Sequence, residues 1–300
     1  MRIVIALGGN ALIRRGEKPD AVQQQQRVRT LANALAPICS THEVVLCHGN
    51  GPQVGVLALE SAADALLTRP FPLDTLVAET QGMIGYWLAQ ALRSEGTTRP
   101  PVALVTETLV AQDDPAFGRP TKFIGPPYDQ DAADEAAERR GWTFGLDGGR
   151  VRRTVPSPRA IRTVELDEVL LLLAAGRTVI SGGGGGVAVT AEGAALQGVE
   201  AIVDKDDTAA NLAAGVGADL LVILTDVSGL IRGFGTPDAE PIASLSADEA
   251  AALSLPAGSM GPKVRACADF VQSTGRTARI GALDEAAAVI SGTAGTTIHP

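Results

Sequence analysis

Five times along this chain a short β-branched or leucine-rich run ends in a glycine- or aspartate-rich turn and gives way to a helical pattern. The units are IVIALGGN (3–10), EVVLCHGNG (43–51), VALVTET (102–108), RTVISGGGGG (177–186) and DLLVILTD (219–226). Strands alternating with helices predict a mainly parallel sheet covered on both faces. In open sheets of this class ligands sit beyond the carboxyl ends of the strands, where these turns gather.

The segments between the strands carry helical periodicity. Val28, Leu31, Leu35 and Ile38 recur at i, i+3, i+7 and i+10, and Leu76, Met83, Ile84, Trp87 and Leu88 form a second apolar face. Ser246 with Glu249 makes a capping-box pattern, and Pro262 and Gly275 bracket the run KVRACADFVQST. Residues 111–159 break the alternation: they are proline-rich and polar, with an acidic helix candidate (DQDAADEAAERR) and two alternating runs, WTFGLD and RVRRTV. This stretch is expected to be a small excursion from the sheet, a lid, and not a linker between equal domains.

Composition narrows the partners. At 300 residues, 45% hydrophobic and 20% charged, the chain is a globular protein with room for one large α/β domain or two lobes. Aromatics are only 3%, so the core must be built from Ala, Val, Leu and Ile, and platforms for stacking bases are scarce. A net charge of −9 argues against a nucleic-acid partner or an anionic membrane. Cys39, Cys47 and Cys267 are odd in number and lack CxxC spacing, which argues against a disulfide framework or a zinc site and fits a reducing cytoplasm. The first apolar run is too short for a signal sequence, and no window approaches the 18 apolar residues of a membrane span.

Several familiar chemistries are missing. No stretch fits G-x-x-x-x-G-K-[ST], and the glycine run breaks G-x-G-x-x-G because its last position falls on Val187. No G-x-S-x-G marks a serine nucleophile, and His42, His48 and His299 lack metal-binding spacing. What remains is glycine and lysine. Gly8-Gly9-Asn10, Gly49-Asn50-Gly51 and Gly182 to Gly186 all follow strands, where bare backbone can approach an anion and point N–H groups at it.

Lysine usage is the sharper signal: four lysines stand against 21 arginines. Lys18 lies in a polar loop, whereas Lys122 (PTKFIGPP), Lys205 (VDKDD) and Lys263 (GSMGPK) are embedded in glycine, proline or aspartate. A lysine is a compact charge on a flexible stem, suited to a phosphate oxygen that moves during transfer. Around Lys205, Asp206 or Asp207 is expected to cap the following helix. Asp204 is left to pair with Lys205 or with a lysine from another loop.

Together ALGGNAL, CHGNGPQVG, PLDTLVAETQGMIGYWL, PTKFIGP, VPSP, the glycine run, GVEAIVDKD, LVILTDV and GSMGPKV resemble the amino acid kinase superfamily and, more closely, the carbamate kinases within it. The match is collinear from end to end. The resemblance implies an αβα sandwich around a mainly parallel sheet of about eight strands, a homodimer, ATP/ADP with Mg²⁺, and reversible phosphoryl transfer between ATP and carbamate. It divides the domain into an acid-substrate lobe (1–200) carrying a lid (111–159) and a nucleotide lobe (201–300).

By the same resemblance Lys122, Lys205, Asp206 and Lys263 are the catalytic set, with Asp206 orienting the lysines. Gly8, Gly9, Asn10, Gly49, Asn50, Gly51, Gly183, Gly184 and Gly185 cradle the acid and the γ-phosphate. Lys205, Thr225, Asp226, Met260 and Lys263 serve the nucleotide, and no metal ligand is assigned. The sequence departs from the family in SGGGGGVAV, in LTDVSGL and at Asp207, where an apolar residue is common. Asp207 is thus expected to add negative charge near the phosphate path. The alternatives are a superfamily kinase for another small carboxylate and a nucleotide-binding regulatory homologue. Three embedded lysines speak against the second, because mere binding does not demand a lid lysine.

Overall fold

In chain order the first elements are β1 (Arg2–Leu7), α1 (Ala21–Thr41), β2 (Glu43–His48), α2 (Gly51–Ala63), α3 (Leu73–Ser94), β3 (Pro101–Ala103) and β4 (Glu107–Leu109). There follow β5 (Lys122–Tyr128), α4 (Gln130–Arg140), β6 (Thr143–Asp147), β7 (Arg150–Val155), β8 (Arg162–Thr163), α5 (Leu166–Ala174) and β9 (Thr178–Ile180). Next come β10 (Val187–Glu192), β11 (Ala195–Gly198), α6 (Lys205–Gly215), β12 (Leu220–Thr225), β13 (Leu230–Arg232), β14 (Glu240–Ile242) and β15 (Ser244–Ser246). The last are α7 (Ala247–Ala252), α8 (Met260–Thr274), β16 (Thr277–Ala282), α9 (Ala286–Ser291) and β17 (Thr296–His299). The structure, a computed structural model, describes residues 1–8, 12–13, 17–236, 238–255 and 260–300.

Eight strands form the main sheet in the order β15-β17-β16-β12-β1-β2-β9-β3, parallel throughout except for the β16–β17 pair. The strands read as unbroken apolar runs because both faces are covered. Along β1, Val4 and Ala6 pack with Leu212 of α6 and Phe270 of α8, while Ile3, Ile5 and Leu7 pack with Leu31 and Leu35 of α1 and Ile84 and Leu88 of α3. Two apolar layers sandwiching one sheet give the expected αβα architecture. All the apolar positions expected on α1 are buried, and on α3 only Met83 is partly exposed. The capping box at Ser246 and Glu249 forms as expected, and Gly275 follows α8 with φ +66°.

Residues 122–155 do leave the main sheet. They fold as a separate antiparallel sheet, β5-β7-β6, with α4 packed on it. Trp142 takes the Arg153 guanidinium over its ring at 3.7 Å, and Tyr128 meets Phe144 edge-on at 5.1 Å. This small unit rests on α2 through a glycine pair. A Cβ on Gly55 would lie 1.9 Å from the Cα of Gly125, so the Gly55 backbone cannot carry a side chain here, and one on Gly125 would come within a tight 3.2 Å of Gly55 Cα. Gly125 also needs its left-handed φ of +67° at the bulge in β5. No helix among the described residues is long and apolar enough to cross a membrane.

Gly55→Ala is therefore expected to destabilise the protein by about 2 kcal/mol or more through overpacking. Gly82→Ala, on the exposed side of α3 with open space around it, is expected to stabilise by about 0.5–1 kcal/mol. Urea unfolding of the two variants checks the contrast.

Candidate active site

The ends of β1, β2, β9 and β12 bring the glycine turns together. Gly8 donates its N–H to Leu224 O at 2.9 Å beside Thr225, and Gly49 donates to Leu7 O at 3.2 Å. Asn50 precedes α2, Gly51 opens it, and the Asn50 amide donates to Thr80 Oγ1 at 2.8 Å. Gly183 to Gly185 form a tight turn whose bare Cα positions face His48, Asn50 and the Val203 carbonyl. A Cβ on Gly184 would lie 2.1 Å from the Asn50 amide nitrogen, and Gly184 has φ +65°. The turn thus needs glycine for its own packing as well as for any ligand. Gly9 and Asn10 lie outside the described residues.

The three embedded lysines, 141 residues apart at the extremes, meet at the start of α6. Lys205 Nζ pairs with Asp206 Oδ1, Lys263 Nζ reaches Asp206 Oδ2 at 3.1 Å, and Lys122 Nζ reaches Asp204 Oδ2 at 2.8 Å. Asp204 takes its partner from the excursion, and not Lys205. It is also the helix N-cap, accepting Asp206 N–H at 2.9 Å. The expectation that Asp206 or Asp207 caps the helix is corrected: both lie inside the first turn, and only the residue before it has the extended backbone that aims its oxygen at those N–H groups.

Burial would raise both carboxyls, but Lys122 and Lys205 hold Asp204 well below the usual carboxylate range, and Lys205 and Lys263 do the same for Asp206. Burial pulls Lys205 below the ordinary lysine value, opposed by Asp206 and reinforced by Lys263. Burial also weighs on Lys263, yet Asp206 carries it above the ordinary value. Three ammonium groups thus gather on two carboxylates at the positive end of a helix, with Asp226 also acting on Lys263, an arrangement that offers several cations to one anion. Asp226 follows Thr225 at the end of β12 and accepts from the Thr225 hydroxyl at 3.1 Å. Met260 opens the described part of α8 and packs partly buried against the core.

Asp207 does not face this pocket. Its Oδ2 accepts Ala160 N–H at 2.8 Å and its Oδ1 lies 3.2 Å from Arg159 Nη2, so the expected charge near the phosphate path is spent on a neighbouring segment. Sequence reasoning also missed the polar layer beneath the glycine turn. Gln81 holds Thr106 through N–H and carbonyl, Thr106 Oγ1 accepts Gly182 N–H at 2.9 Å, and Thr108 and Thr208 both donate to Gly185 O. The available signal was Thr80 and Gln81 sitting on the apolar face of α3 beside Val77 and Ile84.

A model of the amino acid kinase family matches residues 1–282 of the chain. The chain belongs to the amino acid kinase family. A carbamate kinase of Rhizobium meliloti (strain 1021) is 46% identical over 302 residues, covering 99% of this chain and 93% of that protein. A carbamate kinase of Escherichia coli (strain K12) is 44% identical, covering 99% and 98% respectively. Among solved structures, carbamate kinase from Giardia lamblia bound to AMP-PNP superposes with a TM-score of 0.90 at 37% identity, covering 99% of this chain and 98% of that one.

Asp206→Ala strands two buried ammonium groups and is expected to cost about 3–5 kcal/mol in urea unfolding. Lys122→Ala, whose ion pair is about a quarter exposed, is expected to cost less, about 1–2 kcal/mol. Burial lowers His48 from 6.5 to about 4, opposed by the hydrogen bond that its Nδ1–H donates to Gly49 O. Its folded value lies below its unfolded one, so the stability is full above pH 6.5 and is lost as pH falls towards 4. The loss is about 3 kcal/mol. His48→Asn is expected to flatten that part of the stability–pH curve, measured by thermal unfolding.

Proposed function

We propose that the chain is a carbamate kinase, moving a phosphoryl group reversibly between ATP and carbamate, with ADP and carbamoyl phosphate as the other pair. The observation that carries this reading is the convergence of Lys122, Lys205 and Lys263 on Asp204 and Asp206, in a chain 42–46% identical to carbamate kinases over nearly its whole length.

Carbamate is already an anion, so its oxygen attacks the γ-phosphorus without a general base, and the bond to the β-phosphate oxygen breaks as ADP leaves. The obstacle is repulsion between an anion and a polyanion, with charge spread over the transferring oxygens. Lys205 serves the phosphoryl group and the leaving ADP, and Lys263 serves the nucleotide phosphates. Asp206 holds both in place so that they need no reorganisation during transfer. Lys122 closes from the lid onto the acid or the transferring phosphate. The N–H groups of Gly51, Gly183 and Gly184 cradle the acid and the γ-phosphate, while Gly8, Gly49 and Gly185, whose own N–H groups bond the Leu224, Leu7 and Gly182 carbonyls, line the cradle without side chains, with Thr225, Asp226 and Met260 on the nucleotide side.

This reading keeps residues 1–200 as the acid lobe and 201–300 as the nucleotide lobe, which supply opposite halves of the main sheet and meet at the β1–β12 pair. No group of three or more His, Cys, Asp or Glu residues gathers as a metal cage among the described residues. Mg²⁺ in this proposal would be held mainly by the nucleotide phosphates, where it would help to neutralise the charge of the transferring group. A homodimer is part of the proposal, supported by exposed Leu66, Phe71 and Tyr86 around α3. The buried free thiols of Cys39, Cys47 and Cys267 support a reducing, cytoplasmic setting.

The purified protein is expected to form ATP from ADP, Mg²⁺ and carbamoyl phosphate, and Lys205→Ala to lower that rate by about 10³-fold or more. A coupled luminescence assay measures both. Turnover of acetyl phosphate or N-acetylglutamate with no ATP from carbamoyl phosphate would overturn the assignment.

A further inference from the structure

Asp207, the residue that departs from the family pattern, is bound to the segment that leads out of the lid. That segment, residues 156–161, runs from the end of β7 to β8 alongside the start of α6. Ile202 N–H donates to Pro156 O at 3.0 Å, Ala160 N–H donates to Asp207 Oδ2 at 2.8 Å, and Asn211 Nδ2 donates to Ile161 O at 2.6 Å. Within it Arg159 spans two helices: its Nη2 lies 3.2 Å from Asp207 Oδ1 on α6 and 2.5 Å from Asp269 Oδ2 on α8. Its own N–H donates to Asp114 Oδ2 at 2.9 Å, on the strand of chain that leads into the lid.

We infer that Arg159 and Asp207 are positioning residues, a clamp that holds the lid strand and the two lysine-bearing helices at one mutual spacing. Each body the clamp joins carries one part of the pocket. Asp207 follows Lys205 and Asp206 on α6, Asp269 lies on the helix that presents Lys263, and Val155, four residues before Arg159, pairs across β5–β7 with Lys122. A shift of the 156–161 segment thus moves Lys122 relative to Asp204. The two ion pairs differ in weight. Arg159 is half exposed and is shared by both pairs; Asp269, the shorter contact, is 42% exposed, whereas Asp207 is 9% exposed and is the partner held away from solvent. Neither clamp residue is paired with any of the three lysines, so the clamp acts through the position of Asp206, Lys263 and Lys122.

The clamp rests on the carbamate kinase reading for its kinetic test only. Steady-state kinetics of ATP formation from carbamoyl phosphate are compared for wild type, Arg159→Ala, Arg159→Lys, Asp207→Asn and the Arg159→Ala/Asp207→Asn double variant. Asp207→Asn keeps an acceptor for Ala160 N–H while removing the charge, and it carries the test if Arg159→Ala does not fold. A spacing defect is expected to lower kcat about tenfold in each single Ala or Asn variant while KM for ADP moves less than about threefold. Arg159→Lys should recover part of the loss, and the double variant should be no worse than the poorer single one. Amide hydrogen exchange should rise at 122–128 and 205–209 in Asp207→Asn. An unchanged kcat with only a lower thermal midpoint, or single effects that multiply in the double variant, would overturn the clamp. If wild type makes no ATP from carbamoyl phosphate, the functional reading fails, and unchanged exchange at 122–128 then overturns the clamp on its own.

Discussion

A desolvated carboxylate organises this molecule. Asp206 is almost wholly buried, and burying a charge is tolerable only when it is paired and hydrogen-bonded. Its two oxygens take Lys205 from its own helix and Lys263 from α8, so the cost of burial is offset only when α6 and α8 pack as they do. The neighbours of Asp206 repeat the device. Asp204 takes Lys122 from the small antiparallel sheet, Asp207 takes the chain leaving that sheet, and Thr208 takes the Gly185 carbonyl. Five consecutive residues, 204–208, thus tie the start of one helix to the small antiparallel sheet, the glycine turn and the second lysine helix.

The glycine turn is placed by a complementary constraint, space in place of charge. Gly183, Gly184 and Gly185 are packed against His48, Asn50 and Val203 so closely that any side chain would displace them. The β2 and β9 ends are thereby held in register with each other, and Thr208 fastens the turn to α6. Rigid loops at the carboxyl ends of strands, supported by a buried polar layer of Gln81, Thr106 and Thr108, are what preorganised binding of an anion requires.

Much of this was legible beforehand because the signals were local. Apolar runs such as IVIAL and LLVIL mark strands buried on both faces, and the periodicity of Val28, Leu31, Leu35 and Ile38 marks a helix with one buried side. The scarcity of lysine beside abundant arginine singled out Lys122, Lys205 and Lys263, and those three do converge. The aspartates were harder. Residue type alone points to Asp206 or Asp207 as the cap, and the cap is Asp204, because where a helix begins is settled within one residue by backbone geometry that composition does not encode. Asp207 looked like a charge facing phosphate, since nothing in VDKDD reveals that Arg159 lies against it.

By itself the sequence determined the class of fold, the strand-end positions of the glycines and the chemical kind of site, because each rests on patterns within a few residues. Only the tertiary structure decided which carboxylate meets which ammonium. Lys122 reaches Asp204 across 82 positions and Lys263 reaches Asp206 across 57, and such pairs depend on how helices and sheets cross. Two aspartates separated by one residue at the start of a helix point to different bodies of the protein. That difference in direction, invisible in a string of letters, separates a contact with the small antiparallel sheet from the centre of the pocket.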